Sequence, residues 1–150
     1  MKILVVGKGG REHALITALA ASPQATEIYA FPGSDAIFAI AKRTTATDLN
    51  SLIDFMQAQE IELCVAGEES YLVTGMGLAN ACAVAGIPCW GPPKESAQLE
   101  ASKEFAKEFL VRHAIPTARY VAVESFDEGV AALTEFPIVL KFDASSLPVC

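Results

Sequence analysis

Cysteine, histidine, basic residues and long apolar runs are all scarce in this chain, and each shortage removes a class of function. The four cysteines, Cys64, Cys82, Cys89 and Cys150, form no Cys-x-x-Cys pair, and two histidines add little toward a zinc site. They read as reduced core thiols of a cytoplasmic protein, not as a disulfide framework. Lys and Arg number 11 against 18 Asp and Glu, a net charge of −7 with a pI near 4.8. That balance excludes broad binding to nucleic acid or to an anionic membrane and leaves room only for a local basic pocket. No stretch approaches the ~18 apolar residues of a membrane span. No secretory signal is expected, because after Lys2 a short apolar run meets the glycines at once. Internal repeats and low-complexity tracts are missing as well.

What remains is a chain of 150 residues, 52% hydrophobic, with a mean hydropathy of +0.36. It is rich enough in apolar residues to bury a core. Residues 2–6 are apolar on both faces and read as a buried strand. Residues 11–21 read as a helix stopped near Ser22-Pro23. A second strand spans 27–31, and a helix capped by Asp48 runs to about Gln59, with Leu49, Leu52, Ile53 and Met56 on one face. A third strand at 61–66, a helix at 71–85 closed by Gly86, and a short strand at 87–90 follow. This order predicts an α/β fold with a doubly wound parallel sheet, Rossmann-like in layout.

The rhythm changes after Gly91-Pro92-Pro93. Residues 94–113 carry helical sequence, 118–123 and 137–141 read as strands, and 125–134 as a helix. The expected division is an α/β domain at 1–93, a linker at 94–102 and a second unit at 103–150, too short to bury a core of its own.

In an open parallel sheet, ligands sit beyond the carboxyl ends of the strands. The loops to examine are therefore 7–12, 31–36, 67–71 and 91–93. The first resembles a dinucleotide turn, but that fingerprint needs a third glycine where this chain has Glu12. Bare amides at the helix start attract an anion, Arg11 offers a planar donor fork, and Glu12 can accept from sugar hydroxyls. Together these suit a phosphorylated sugar better than a dinucleotide. The plainer alternative is a tight turn with both charges solvated. Glu68 and Glu69 are adjacent, so only one is expected to face a cleft. His13 is equally consistent with capping or packing. Residues 102–107 suit a solvated helix face with Phe105 inward, and Lys141 suits either a phosphate ligand or an edge-strand charge.

Taken in order, several motifs resemble the glycinamide ribonucleotide synthetase (phosphoribosylamine–glycine ligase) family. Gly9-Gly10-Arg11-Glu12-His13-Ala14 matches that family's opening, and Pro32-Gly33 the start of its Pro-Gly-Asn-Ala-Gly loop. Gly67-Glu68-Glu69 with Leu72-Val73 resembles Gly-Pro-Glu-x-x-Leu-Val, and Trp90-Gly91-Pro92 resembles Phe-Gly-Pro. Ser102-Lys103, Phe105-Ala106-Lys107 and Ile115-Pro116-Thr117-Ala118 resemble the entry into its ATP-grasp region. The resemblance implies a pre-ATP-grasp domain followed by the incomplete start of an ATP-grasp domain. It implies a ligase of purine biosynthesis that uses ATP and magnesium to phosphorylate the carboxylate of glycine. The amine of 5-phosphoribosylamine then attacks the acyl phosphate. It also implies substrate contacts from Gly9, Gly10, Arg11, Glu12, Pro32, Gly33 and Glu69, and ATP contacts from Lys103 and Lys141. No metal ligand is assigned.

The chain departs from that family at Ser34-Asp35, at Glu68, at Tyr71 and, most of all, after Lys141. The family's glycine loop is replaced by Phe142-Asp143-Ala144-Ser145-Ser146-Leu147-Pro148-Val149-Cys150. Removing one guanine from codons for Asp-Gly-Leu-Val-Ala-Ala-Gly-Leu yields Asp143 to Cys150, so a frameshift is one expectation. On that expectation the chain alone is an inactive piece of the ligase. The rivals are a non-catalytic binder of a sugar phosphate or of a nucleotide of the NAD type, and a structural role in which the incomplete second unit self-associates.

Overall fold

The computed structural model describes residues 1–141. The element order is β1 (Lys2–Gly7), α1 (Gly10–Ala20), β2 (Glu27–Pro32), α2 (Asp35–Phe38), β3 (Lys42–Arg43), α3 (Leu49–Ala58), β4 (Leu63–Ala66), α4 (Ser70–Val73), α5 (Leu78–Val84), β5 (Cys89–Trp90), α6 (Lys94–Ala101), α7 (Lys103–Arg112) and α8 (Phe126–Ala132). The five strands form a parallel sheet in the order β3-β2-β1-β4-β5. The chain winds outward from β1 in one direction, then returns to lay β4 on its other side. The topological switch point lies between β1 and β4.

The two-residue period of β1 explains the layering. Leu4 and Val6 face a cluster that includes Tyr29, Phe31, Leu52, Met56, Leu78 and Cys82. Ile3 and Val5 face the other way, toward Ile16, Ile28, Ile37 and Val65. Helices α3 and α5 therefore cover one face and α1 and α2 the other, which is why Ile3, Leu4, Val5 and Val6 of β1 are all apolar. Asp48 caps α3 by accepting from the Ser51 N–H at 2.8 Å, and Leu52 and Met56, one turn apart, supply its buried stripe.

Three features differ from the sequence expectation. The helix expected at 71–85 is two, α4 and α5, because Gly75 and Gly77 turn the chain through positive φ, +58° and +84°. A side chain at Gly77 would stand 2.5 Å from the Leu72 carbonyl oxygen. The short α2 and the edge strand β3 were not expected. Two residues cannot show a period, and β3 is recognised only by its pairing with Tyr29 and Ala30. The strands expected at 118–123 and 137–141 do not form. Both segments are exposed, and neither finds a ladder partner among the described residues.

Contacts divide the chain into two compact units, Met1–Ala97 and one beginning at Gln98. Residues 94–101, within the segment read as a linker, are helix α6, whose Ala97 joins the first unit's core. In the second unit Ser102 caps α7 through the Phe105 N–H, Lys107 Nζ donates to Thr117 Oγ1 and the Ala118 carbonyl, and Arg119 pairs with Glu135. No helix among the described residues is long and apolar enough to cross a membrane.

Candidate functional site

The loops that leave β1, β2 and β4 are stitched together at the switch point. The Gly67 and Glu68 N–H groups both donate to the Val6 carbonyl, at 2.8 and 3.1 Å, and the Gly33 N–H donates to the Gly7 carbonyl at 3.2 Å. These bonds hold three glycine-bearing turns around the carboxyl end of β1.

Glu12 fills the space between those turns. It is 3% exposed, one of two buried polar or charged residues among those described. A side chain on Gly67 would lie 2.5 Å from Glu12 Cγ, a side chain on Gly9 3.0 Å from Glu12 Oε2, and one on Gly7 would collide with Glu12 Cγ. Three glycines thus make the niche for one glutamate. Its Oε2 accepts from the Gly9 N–H at 2.7 Å, capping the start of α1, and its Oε1 accepts from Arg11 Nε at 3.0 Å. In a dinucleotide turn, a glycine at this position allows close approach of helix and strand; here a buried carboxylate occupies it.

Arg11 is exposed, and its Nη2 donates to Glu69 Oε2 at 2.8 Å. Glu12 first and Glu69 second push the guanidinium pKa upward. The Glu69 carboxyl is held below its ordinary range, first by its own backbone N–H and then by Arg11. The pair is therefore charged on both sides at neutral pH, with Nε of Arg11 engaged by Glu12 and Nη2 by Glu69. Of the two adjacent acids only Glu69 reaches Arg11; Glu68 Oε1 accepts from Ser70 Oγ at 3.0 Å. By helix geometry the amides of Gly10 and Arg11 have no intrahelical partner.

The structure thus brings together Gly9, Gly10, Arg11, Glu12 and Glu69, with Pro32-Gly33 joined to them through Gly7. Lys103 and Lys141 belong to the second unit, and both are exposed. Lys8 is a further basic residue of the first loop. It is exposed at the loop's tip, and its sequence signal is a lysine between two glycines just beyond a buried strand.

Residues 1–100 match the model of the phosphoribosylglycinamide synthetase N domain. The chain belongs to this family. A phosphoribosylamine–glycine ligase of Allochromatium vinosum is 44% identical over 95% of the chain, which covers 34% of that relative. A trifunctional purine biosynthetic protein of Drosophila melanogaster is 39% identical over 91% of the chain and 10% of its own length. The chain spans about a third of the length of the single-function ligases it matches. Among solved structures, a phosphoribosylamine–glycine ligase of Thermotoga maritima superposes with a TM-score of 0.57 at 28% identity, over 79% of this chain and 26% of that one. The biotin carboxylase domain of a single-chain bacterial carboxylase, 18% identical, shares the fold over 87% of this chain and 33% of its own, with a TM-score of 0.64.

Proposed function

We propose that this chain is the phosphoribosyl-holding part of an ATP-dependent ligase that joins glycine to 5-phosphoribosylamine in purine biosynthesis. The observation that carries the reading is the Glu12–Arg11–Glu69 array at the switch point. Glu12 is a positioning residue that fixes Arg11 and the start of α1. The free amides of α1 and the Arg11 fork supply the donors a phosphate needs, and Glu69, with the Pro32-Gly33 turn, borders the same space for a sugar hydroxyl or an amine. Chemistry of this class depends on positioning and charge neutralisation more than on covalent help.

ATP is the third substrate of that reaction, beside glycine and 5-phosphoribosylamine. Lys103 and Lys141 are the proposed phosphate contacts, with domain limits at 1–93 and 103–150. Magnesium takes hard oxygen donors. Among the described residues the one gathered set of potential metal ligands is three cysteines, whose soft sulfurs do not fit magnesium.

Calorimetric titration with glycinamide ribonucleotide, ATP and NAD tests the reading. Saturable binding of the ribonucleotide, lost in Arg11→Ala, is the expected result. Binding of NAD without the ribonucleotide would establish the dinucleotide-module alternative instead.

A further inference from the structure

Three cysteines far apart in sequence meet beneath α5. Cys64 on β4 is in register with Cys89 on β5, so their side chains leave the same face of the sheet. Cys82 comes down on that face from α5 and is fully buried with Cys64, while Cys89 is half-buried. All three thiols are free, and their sulfurs lie within 4.8 Å of one another.

Three sulfurs at ~2.3 Å from one tetrahedral ion stand about 3.8 Å apart. The native spacing is therefore near what a shared ion requires, and the sulfurs close on it by roughly 1 Å or less per pair. Thiolates select soft ions. Three thiolates leave a net charge of −1 on a divalent ion and −2 on a monovalent one, and a buried site favours the smaller charge. The half-exposed side of Cys89 gives a fourth position access to solvent.

We propose that Cys64, Cys82 and Cys89 form a three-thiolate site for a divalent d10 ion of the zinc class, with an exchangeable fourth ligand on the Cys89 side. Binding breaks three S–H bonds, forms three metal–sulfur bonds and delivers three protons to the buffer. The site stands apart from the Arg11 array and does not depend on the ligase reading.

The test uses the full chain in a Cys150→Ser background, reduced and stripped of metal, then titrated with cadmium and with zinc. The expected result is one ion per chain, thiolate-to-cadmium charge-transfer absorption, close to three protons released per ion, and a Tm that rises with zinc. Cys89→Ser, whose fold is checked by circular dichroism, should bind at least about tenfold more weakly and release fewer protons. No saturable binding, absorption that appears only in denaturant, a Tm that falls with zinc, or equal affinity in Cys89→Ser would each overturn the proposal.

Discussion

Arg11 Nη2 and Glu69 Oε2 stand 2.8 Å apart although the two residues are 58 positions apart in sequence. The bond spans the switch point of the sheet and ties the β1 turn to the β4 turn on the solvent side. Below it, Glu12 ties the same turns together inside. An exposed pair of this kind contributes little to stability, because water and salt screen it. On the proposed function its value is in orienting Arg11. Glu69→Gln is therefore expected to leave the Tm within a couple of degrees of the parent while weakening sugar-phosphate affinity several-fold. Paired thermal melts and titrations measure both.

The buried carboxylate beneath is a different matter. Glu12→Ala leaves the Gly9 N–H without its cap and opens a void among Gly7, Gly9 and Gly67. The expected loss is about 2–3 kcal/mol in urea unfolding. Gly67→Ala should destabilise from the other side. Its new methyl would meet Glu12 Cγ at 2.5 Å and the Val6 carbonyl oxygen at 2.8 Å, and the latter is backbone. A cost of about 1–3 kcal/mol follows. Unfolding of either variant at the parental urea midpoint would contradict this account of the niche.

The sequence made the sheet legible because β1, β2 and β4 are apolar on both faces and the helices between them carry clear caps and stops. Gly86, the expected stop of α5, does sit at φ +73°. The Thr74-Gly75-Met76-Gly77 break is hard to read because apolar residues continue a helical pattern on both sides of it. The strands expected at 118–123 and 137–141 failed because a strand is a property of its partner as much as of its own residues. At the site, position beyond the strand ends points to Arg11 and to the Glu68-Glu69 pair, and only the family resemblance singles out Glu69. The burial of Glu12 was not, since nothing local says that Gly67 of a later loop completes its niche. The thiol cluster was equally hidden, because it depends on the register of β5 beside β4. The altered sequence from Asp143 to Cys150 lies outside the described residues.

Truncation should separate a buried helix position from an exposed one. Met56 is fully buried beneath the sheet, whereas Val84 on α5 is 81% exposed. Met56→Ala is expected to cost about 2–5 kcal/mol, and Val84→Ala about 0.5 kcal/mol or less. Chemical denaturation of the two variants checks the packing of α3 at Met56 against the open surface of α5 at Val84.

The second unit carries large apolar side chains on its surface, including Val121, Phe126, Phe136, Val139 and Leu140. Exposure on this scale favours association of copies of the chain. Light scattering is expected to show a mass that rises with concentration. Phe126→Ser with Val139→Ser should return the chain to monomer, and a constant monomer mass in the parent would refute the expectation.

Tyr29 and Glu27 predict the shape of stability against pH. The Tyr29 hydroxyl donates to Glu27 Oε2 at 2.6 Å, and Lys42 Nζ lies 3.1 Å from the same oxygen. The hydrogen bond from Tyr29, then Lys42, holds the Glu27 carboxyl below its ordinary range. Asp48, Glu69 and Glu95 are lowered as well, by hydrogen bonds from Ser51, from the Glu69 backbone and from the Glu95 backbone first in each case. A lowered carboxyl stabilises the fold above its unfolded pKa, and that contribution is lost as pH falls through the folded one. The acid limb should therefore begin near pH 4 and steepen below it. Tyr29 moves the opposite way, raised by its bond to Glu27, and burial raises Tyr71 too. A raised phenol stabilises below its unfolded value of about 10, and the contribution is lost as pH rises through the folded value. Tyr29→Phe removes one cause of each limb. Its stability profile, measured by urea unfolding across pH, should be shallower in acid because Glu27 returns toward its ordinary value. It should also be shallower in alkali, where Tyr71 alone of this pair of phenols remains. An unchanged acid limb in Tyr29→Phe would show that Lys42, not the hydroxyl, controls Glu27.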